Sequence, residues 1–380
     1  MSPFKLLLRR TGRGHAMGTL FVLLFSLAVG NASAFDGFIR MTNGYFYDSA
    51  TGEPWIPRGI AYQTWNRPLG IWQTYEQIDY DLDEMKKMGA NSIRVDFVWQ
   101  HLEEAGDNQW SWTNYEYLVQ AAEARGLRIF ALVGYQWPPN WFPNEWYTMH
   151  PPAYDSGGIY HPTRWQSDII NYEHPAARAQ YAEWFENVCG HFKDSKAIVG
   201  WIVGNEYGYL GLWSKIYDGY DPECEQAFRT WCAAKYTAIS NLNTAWGSSY
   251  TNFSQIVLSD GYAWTGPQGA LWADMVQWHE DSIASFTAVG AVAARAADTN
   301  HLLSYSTVGM QWGEEDWRYH AEDRGKITRA CASNNAPLGF FSINNYPWAM
   351  DGSETRNGQW GISYTKKTAN MPVLYTETGF

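Results

Sequence analysis

Short apolar runs that do not alternate with polar residues recur along this chain, and they constrain its fold most strongly. Clear examples lie at residues 129–133 and 198–203. Strands that are buried on both faces of a parallel sheet read as continuous apolar runs, whereas half-exposed strands alternate. Apolar or β-branched runs predict seven parallel strands: 55–63, 90–99, 128–136, 197–207, 301–309, 337–346 and 372–380.

The segments between these strands carry apolar residues at helical spacing and are predicted to be amphipathic helices. The first two end at Gly89 and Gly126, and glycine is common just after a helix C-terminus. The predicted helices are 75–88, 115–125, 176–192, 223–239, 271–297 and a segment around 319–332. This alternation of strands and helices predicts either a barrel or an open doubly wound sheet.

The loops decide between these two folds. No glycine-rich phosphate loop follows the first strand, where residues 61–65 read Ala-Tyr-Gln-Thr-Trp, so a dinucleotide-binding sheet is disfavoured. Long loops at 137–173 and 208–221 follow the third and fourth strands, and such loops build the active site of a barrel. We therefore predict an α/β fold, a (β/α)8 TIM barrel, with an N-terminal β-hairpin that turns at Asn43-Gly44.

The predicted catalytic domain covers residues 35–380 and ends with the seventh predicted strand. An eight-stranded barrel needs one more strand, so we expect the domain to be C-terminally incomplete, truncated after strand 7. The alternative is an uncounted strand elsewhere, because boundaries read from a single sequence are imprecise.

The first 34 residues are predicted to be a signal peptide. Four basic residues lie between positions 5 and 13, an apolar stretch follows at 18–30, and residues 32–34 read Ala-Ser-Ala. This order is typical of export signals, and the apolar stretch is short for a membrane span. We expect cleavage after Ala34 and a secreted or periplasmic protein with no membrane association afterwards. A membrane anchor is the alternative.

Composition narrows the classes of partner. The formal net charge is −12, and an acidic protein repels phosphate backbones, so we expect no nucleic-acid partner. The chain also contains 22 Trp, 25 Tyr and 17 Phe. Such rings form cores, but they also stack on the apolar faces of sugars, so their density favours a carbohydrate ligand. The oligomeric state stays open, a homo-oligomer included.

Two glutamates follow predicted barrel strands and are the candidate catalytic residues. Glu206 ends the fourth strand and Glu377 ends the seventh. These strands lie nearly across the barrel, so both carboxylates are expected to point into one cleft. Hydrolysis of a glycosidic bond requires such a pair, one group to protonate the leaving oxygen and the other to attack the anomeric carbon. A lone strand-end glutamate would more simply be a solvated surface group.

The stretches around these glutamates resemble known motifs. Gly-Asn-Glu at 204–206 and Tyr-Thr-Glu-Thr-Gly at 375–379 are similar to the acid/base and nucleophile motifs of the clan A glycoside hydrolases, which are retaining barrel enzymes. Glycoside hydrolase family 42, a family of β-galactosidases, is resembled most, with family 5 second. The stretches that carry the family 42 resemblance are 138–141, 201–208, 224–236 and 242–247.

The resemblance implies further site residues. Arg94 matches the clan's strand-2 arginine near the nucleophile, Asn205 would contact the sugar 2-hydroxyl, and Tyr346 matches a tyrosine that touches the nucleophile. Trp99 and Trp137 lie on loops of the same barrel face and are candidate sugar platforms, with core packing as the alternative for both.

Four cysteines lie outside the predicted signal peptide, at positions 189, 224, 232 and 331. The zinc-binding cysteine cluster of family 42 is only partly matched, through Cys224 and Cys232, so no metal and no cofactor are predicted. Two disulfides are allowed by the count but cannot be paired from the sequence.

Three functional hypotheses remain open at this stage. The first is a secreted retaining β-glycosidase that acts on β-galactosides. The second is an endo-acting β-glycanase, cleaving a mannan or an agar-type galactan, and the third is an inactive barrel that binds carbohydrate. All three predict an oligosaccharide or polysaccharide partner.

Overall fold

The structure is a computed structural model. It describes residues 35–66, 71–134, 137–154, 157–209, 217–258, 269–308, 321–344, 362–363, 365–367 and 371–377. The predicted signal peptide and the predicted site residue Tyr346 lie outside the described residues. None of the described helices has the length and hydropathy needed to cross a lipid bilayer.

Strands and helices follow one another along the described chain. The strands are β1 Ile39–Thr42, β2 Tyr45–Asp48, β3 Gly59–Tyr62, β4 Trp65–Asn66, β5 Ile71–Trp72, β6 Ser92–Asp96, β7 Arg128–Leu132, β8 Tyr147–His150, β9 Ala153–Tyr154, β10 Tyr160–His161, β11 Trp165–Ile170, β12 Ile198–Asn205, β13 Leu302–Val308, β14 Phe340–Asn344 and β15 Val373–Glu377. The α-helices are α1 Tyr75–Lys87, α2 Trp99–Leu102, α3 Thr113–Ala124, α4 Pro175–Phe192, α5 Pro222–Tyr236, α6 Ile239–Trp246, α7 Ala270–Ala297 and α8 Arg324–Ser333.

Seven strands form one parallel sheet in the order β15-β14-β13-β12-β7-β6-β3. The two end strands, β15 and β3, lie next to each other, so the sheet is a nearly closed barrel with helices around it. Each of the seven predicted strands is confirmed, with a shorter core than predicted. The predicted barrel class is therefore confirmed.

The N-terminal hairpin packs against the barrel. Strands β1 and β2 pair in antiparallel register around Asn43 and Gly44, whose φ angles of 49° and 82° are the left-handed values that a tight hairpin turn requires. The Phe46 ring packs edge-on against Phe130 and Phe340, with ring centroids 6.4 and 5.5 Å apart. These apolar rings fill the barrel at the end where its strands begin, which leaves the opposite end for polar groups.

One predicted helix is wrong in extent. The predicted helix 223–239 is observed as α5, which ends earlier, at Tyr236, because Thr237 adopts a left-handed φ of 63°. A separate helix, α6, begins at Ile239. The N-terminus of α5 is fixed by Asp221, whose carboxylate accepts a hydrogen bond from the Cys224 backbone N–H at 2.8 Å. The last predicted helix is observed as α8, which begins at Arg324 after the N-cap Asp323.

The four cysteines are buried free thiols, so the two disulfides that their number allows are not formed. Burial raises the pKa of Cys232 and of Cys331 to about 12. Burial also raises the pKa of Cys224 well above its ordinary value, and its thiol donates a hydrogen bond to the Asn171 side-chain oxygen at 3.4 Å. Within the described residues, no three His, Cys, Asp or Glu side chains are grouped so as to hold a metal ion.

His279 on α7 is completely buried. Its ring stacks on Tyr209 at a centroid distance of 4.1 Å, and neither ring nitrogen has a hydrogen-bond partner in the described part of the chain. Burial lowers the pKa of His279 to about 3. The unfolded chain therefore binds a proton that the folded chain excludes when the pH lies between about 3 and 6.5.

The stability contributed by neutral His279 should be fully present above pH 6.5 and lost as the pH falls toward 3. At pH 5 the loss should be about 2 kcal/mol of unfolding free energy. We expect His279→Phe to reduce the difference in urea-unfolding free energy between pH 7 and pH 5 by this amount. His191→Phe, at an exposed histidine, is the control. Identical pH dependence in wild type and His279→Phe would contradict the expectation.

Candidate active site

Glu206 follows the longest barrel strand, β12, whose residues are all buried. The residue adopts a left-handed φ of 53°, which is uncommon for a residue with a side chain. Its backbone N–H donates to the Ser306 carbonyl of β13 at 2.9 Å. The half-buried Glu206 therefore leaves the strand in a defined direction at the carboxyl end of the barrel.

Steric crowding explains why the first residue of the Gly-Asn-Glu stretch is a glycine. A Cβ atom on Gly204 would lie 2.5 Å from the Tyr305 ring and 2.8 Å from the Tyr207 ring. Both rings are fully buried and have no room to shift. Glycine is therefore required where β12 passes these two aromatic side chains, two residues before the candidate catalytic residue.

Arg94 and Asn205 meet inside the barrel. The Arg94 guanidinium donates to the Asn205 side-chain oxygen at 3.3 Å and forms an ion pair with Asp96 at 3.1 Å. All three side chains are buried. A buried arginine is held in place by such hydrogen bonds and by an opposite charge. Two residues that are far apart in sequence are thereby joined at the carboxyl ends of β6 and β12.

Asn344, at the end of β14, is a site residue that the sequence reasoning missed. Its side-chain nitrogen donates to Glu206 Oε1 at 2.8 Å and to Asn205 Oδ1 at 3.0 Å. Its side-chain oxygen accepts a hydrogen bond from the Ser306 hydroxyl at 2.8 Å. The missed signal was a polar residue at a predicted strand end, two positions before Tyr346.

Glu377 is the last residue of β15, and its backbone is paired in register with Asn344. The structure describes the backbone of Glu377, which lies at the same end of the barrel as Glu206. Asn344 thus stands between the two candidate glutamates: it neighbours one across the sheet and donates a hydrogen bond to the other.

The two candidate tryptophans lie in different settings. Trp99 is 1% exposed, its ring stacks on Trp184, and its indole N–H donates to the Glu103 carboxylate at 2.6 Å. This burial leaves no ring face for a sugar, so the structure favours core packing for Trp99. Trp137 is half-buried, and its carbonyl accepts a hydrogen bond from the Gln100 N–H at 3.2 Å. Its role as a sugar platform stays a prediction.

If Glu206 is catalytic, as the sequence predicts, Asn344→Ala should lower kcat/KM by roughly 10- to 100-fold, the range that follows from losing a hydrogen bond to a charged group. The reason is that Glu206 and Asn205 both lose a donor. Asn334→Ala is the control, because Asn334 is exposed and caps a helix at the surface. An unchanged kcat/KM in Asn344→Ala, with normal thermal stability, would exclude this role.

Comparison with known proteins gives a family match over more than half of the chain. Residues 70–322 match the sequence model of glycoside hydrolase family 42, described as beta-galactosidase. Beta-galactosidase BgaA from Thermus sp is 25% identical over 264 residues, which cover 66% of this chain and 38% of that protein. A beta-amylase from Cytobacillus firmus is 23% identical over 263 residues, or 61% of this chain and 55% of that protein.

Solved structures share the fold. The beta-galactosidase from Halorubrum lacusprofundi superposes with a TM-score of 0.63 at 18% identity, over 84% of this chain and 46% of that chain. The beta-amylase catalytic domain from Paenibacillus polymyxa gives 0.60 at 17% identity, over 84% and 91%. The chain thus spans about half or less of the beta-galactosidases that it matches.

Proposed function

We propose that this chain, which belongs to glycoside hydrolase family 42, hydrolyses β-galactosides with retention of anomeric configuration. One observation carries the proposal. The side chain of Asn344 is hydrogen-bonded to Glu206, and its backbone is paired with Glu377, so both glutamates lie at one end of one barrel. The beta-galactosidases among its relatives support the galactoside as substrate.

In the first step, Glu206 gives its proton to the glycosidic oxygen while a Glu377 oxygen bonds to the anomeric carbon. The bond from that carbon to the leaving oxygen breaks, and the aglycone departs with the proton. In the second step, the Glu206 carboxylate takes a proton from water, and the water oxygen displaces Glu377 from the anomeric carbon. One water is consumed, and both glutamates return to their starting states.

The neighbouring side chains suit this chemistry. Asn205 is fixed by Arg94 and by Asn344, so its amide is held in one orientation at the mouth of the barrel. Arg94 contributes a positive charge within the barrel, where a low dielectric strengthens its effect on nearby carboxylates. Both residues are proposed to bind the substrate next to the reacting bond, and Tyr346 is proposed to contact the nucleophile.

A substrate panel with product analysis tests the proposal. The panel contains 4-nitrophenyl β-galactoside, lactose, the corresponding β-glucoside and β-mannoside, mannan, agarose and starch. We expect turnover of the galactosides, with the β-anomer of galactose appearing first by proton NMR. The α-anomer appearing first would reject retention, and sugar binding without turnover would support the inactive-barrel alternative.

An endo-acting β-glycanase is the second candidate, and one surface feature favours it. Tyr154 and Tyr160 of the β9–β10 hairpin are 60% and 53% exposed, with ring centroids 4.9 Å apart. The hairpin lies in the long segment between β7 and α4, where a polysaccharide could stack. If it acts as a platform, Tyr154→Ala should raise KM for a polymer and leave KM for the aryl galactoside unchanged.

Export is proposed on sequence grounds, from the basic, apolar and small-residue order within residues 1–34. Mass spectrometry of protein recovered outside the cytoplasm should show an N-terminus at Phe35. An intact Met1 on exported protein would reject the predicted cleavage.

A further inference from the structure

The peptide groups on both sides of Glu206 are fixed to the neighbouring strand β13. The Glu206 N–H donates to the Ser306 carbonyl at 2.9 Å, and the Tyr207 N–H donates to the Tyr305 hydroxyl at 3.0 Å. Left-handed backbone at a residue with a side chain persists only where the surroundings hold it. These two hydrogen bonds hold the Glu206 backbone in its left-handed conformation, and the acceptor of the second is a side chain, that of Tyr305.

The Tyr305 hydroxyl can accept this bond because its own proton is directed elsewhere. Tyr305 is fully buried, and its hydroxyl donates to Glu322 Oε1 at 2.5 Å. A hydroxyl has one proton, so donation to Glu322 leaves a lone pair for the Tyr207 N–H. Burial and the negative charge of Glu322 raise the pKa of Tyr305 far above its ordinary value, so the phenol keeps the proton that it donates.

Glu322 is itself fixed. It is 7% exposed, and its second oxygen accepts a hydrogen bond from the Thr307 hydroxyl of β13 at 2.8 Å. Arg324 Nε donates to the same Thr307 oxygen at 3.2 Å. A carboxylate buried in this way is costly unless it is hydrogen-bonded. Glu322 follows β13 in the chain, and β13 is the neighbour of β12, the strand whose end carries Glu206.

We propose that Glu322, acting through Tyr305, is a positioning residue that sets the direction of the acid/base Glu206. The relay has three links: the Glu322 carboxylate, the Tyr305 phenol and the Tyr207 peptide N–H. It rests on the proposed function, because it concerns the group that protonates the leaving oxygen. Glu322 touches neither substrate nor reacting atoms in this scheme.

The test compares two substrates that differ in their need for a proton. Hydrolysis of 2,4-dinitrophenyl β-galactoside needs little protonation of its leaving group, whereas methyl β-galactoside needs full protonation. We expect Tyr305→Phe and Glu322→Ala to lower kcat/KM for the methyl substrate by roughly 10-fold or more relative to the dinitrophenyl substrate. Glu322→Gln keeps an acceptor for Tyr305 and should recover most of this loss. The double variant should be no worse than Tyr305→Phe alone.

A second measurement does not depend on activity. Amide hydrogen exchange at Tyr207, followed by mass spectrometry, should become roughly 10-fold faster or more in Tyr305→Phe, because the N–H loses its acceptor. Tyr62→Phe is the matched control: Tyr62 likewise lies on a barrel strand, β3, and donates to a carboxylate, that of Asp81 at 2.9 Å. Tyr305→Phe removes only one oxygen, so it decides the question should Glu322→Ala not fold.

The outcomes separate the two proposals. Unchanged exchange at Tyr207 in Tyr305→Phe, or an equal loss of activity on both substrates, would overturn the positioning role. A wild-type protein that cleaves neither substrate would overturn the proposed function instead, while the exchange rates would still show whether Tyr305 and Glu322 hold the Glu206 segment.

Discussion

Glu377→Ala should reduce kcat for aryl β-galactosides by roughly 10⁴-fold, the scale seen when a nucleophile is removed. The reason is that no covalent intermediate can form once the attacking carboxylate is gone. Added azide should restore turnover of an activated galactoside, because it fits the space that the carboxylate leaves. Azide then attacks from the face opposite the leaving group, so the product should be the α-galactosyl azide, identified by proton NMR.

Controls make this prediction specific. Thr376→Ala, one residue earlier on β15, should keep most of the activity if the loss belongs to Glu377 and not to the strand. Wild-type activity in Glu377→Ala would contradict the assignment of Glu377 as the nucleophile. A β-galactosyl azide from that variant would contradict the assigned face of attack.

Glu206→Ala should give a different pattern. For substrates with poor leaving groups, kcat/KM should fall by roughly 10²- to 10⁴-fold, the usual contribution of general acid catalysis. For the 2,4-dinitrophenyl galactoside it should change little, because that leaving group departs without a proton. Azide should accelerate release of the covalent intermediate, and the product should be the β-galactosyl azide.

The opposite configurations of the two azide products test the division of roles between the glutamates. Glu223→Ala, at a half-buried glutamate in the first turn of α5, is the control for loss of a carboxylate. Equal losses on good and poor leaving groups in Glu206→Ala would contradict the acid/base role. An α-galactosyl azide from Glu206→Ala would reverse the two assignments.

The barrel could be predicted because its signal is local. Runs such as 129–133 and 198–203 are apolar on both strand faces, and that pattern identifies a strand within a buried parallel sheet without knowledge of its neighbours. The break after α5 was missed for the opposite reason. Thr237 is neither glycine nor proline and carries no helix-breaking signal, yet it adopts a φ of 63° and ends the helix.

The site could be predicted only in part, since its contacts join distant residues. Glu206, Arg94 and Asn205 were found from strand ends and family-like stretches. Asn344 lies 138 positions from the glutamate that it contacts, and no pattern in the sequence joins the two. Trp99 shows a different limit. From the sequence alone, a tryptophan at a predicted strand end that packs in the core cannot be distinguished from one that lines a sugar cleft, and Trp99 is buried in the core.

The most direct test of the two-glutamate mechanism is to trap its covalent intermediate. With a 2,4-dinitrophenyl 2-deoxy-2-fluoro-β-galactoside, the covalent intermediate forms faster than water hydrolyses it. The fluorine slows both formation and hydrolysis of the intermediate, whereas the activated leaving group accelerates formation only. After incubation and proteolysis, mass spectrometry should find one fluorogalactosyl group, on the peptide that contains Glu377. A label on another carboxylate, or rapid turnover of other galactosides without any label, would contradict the mechanism.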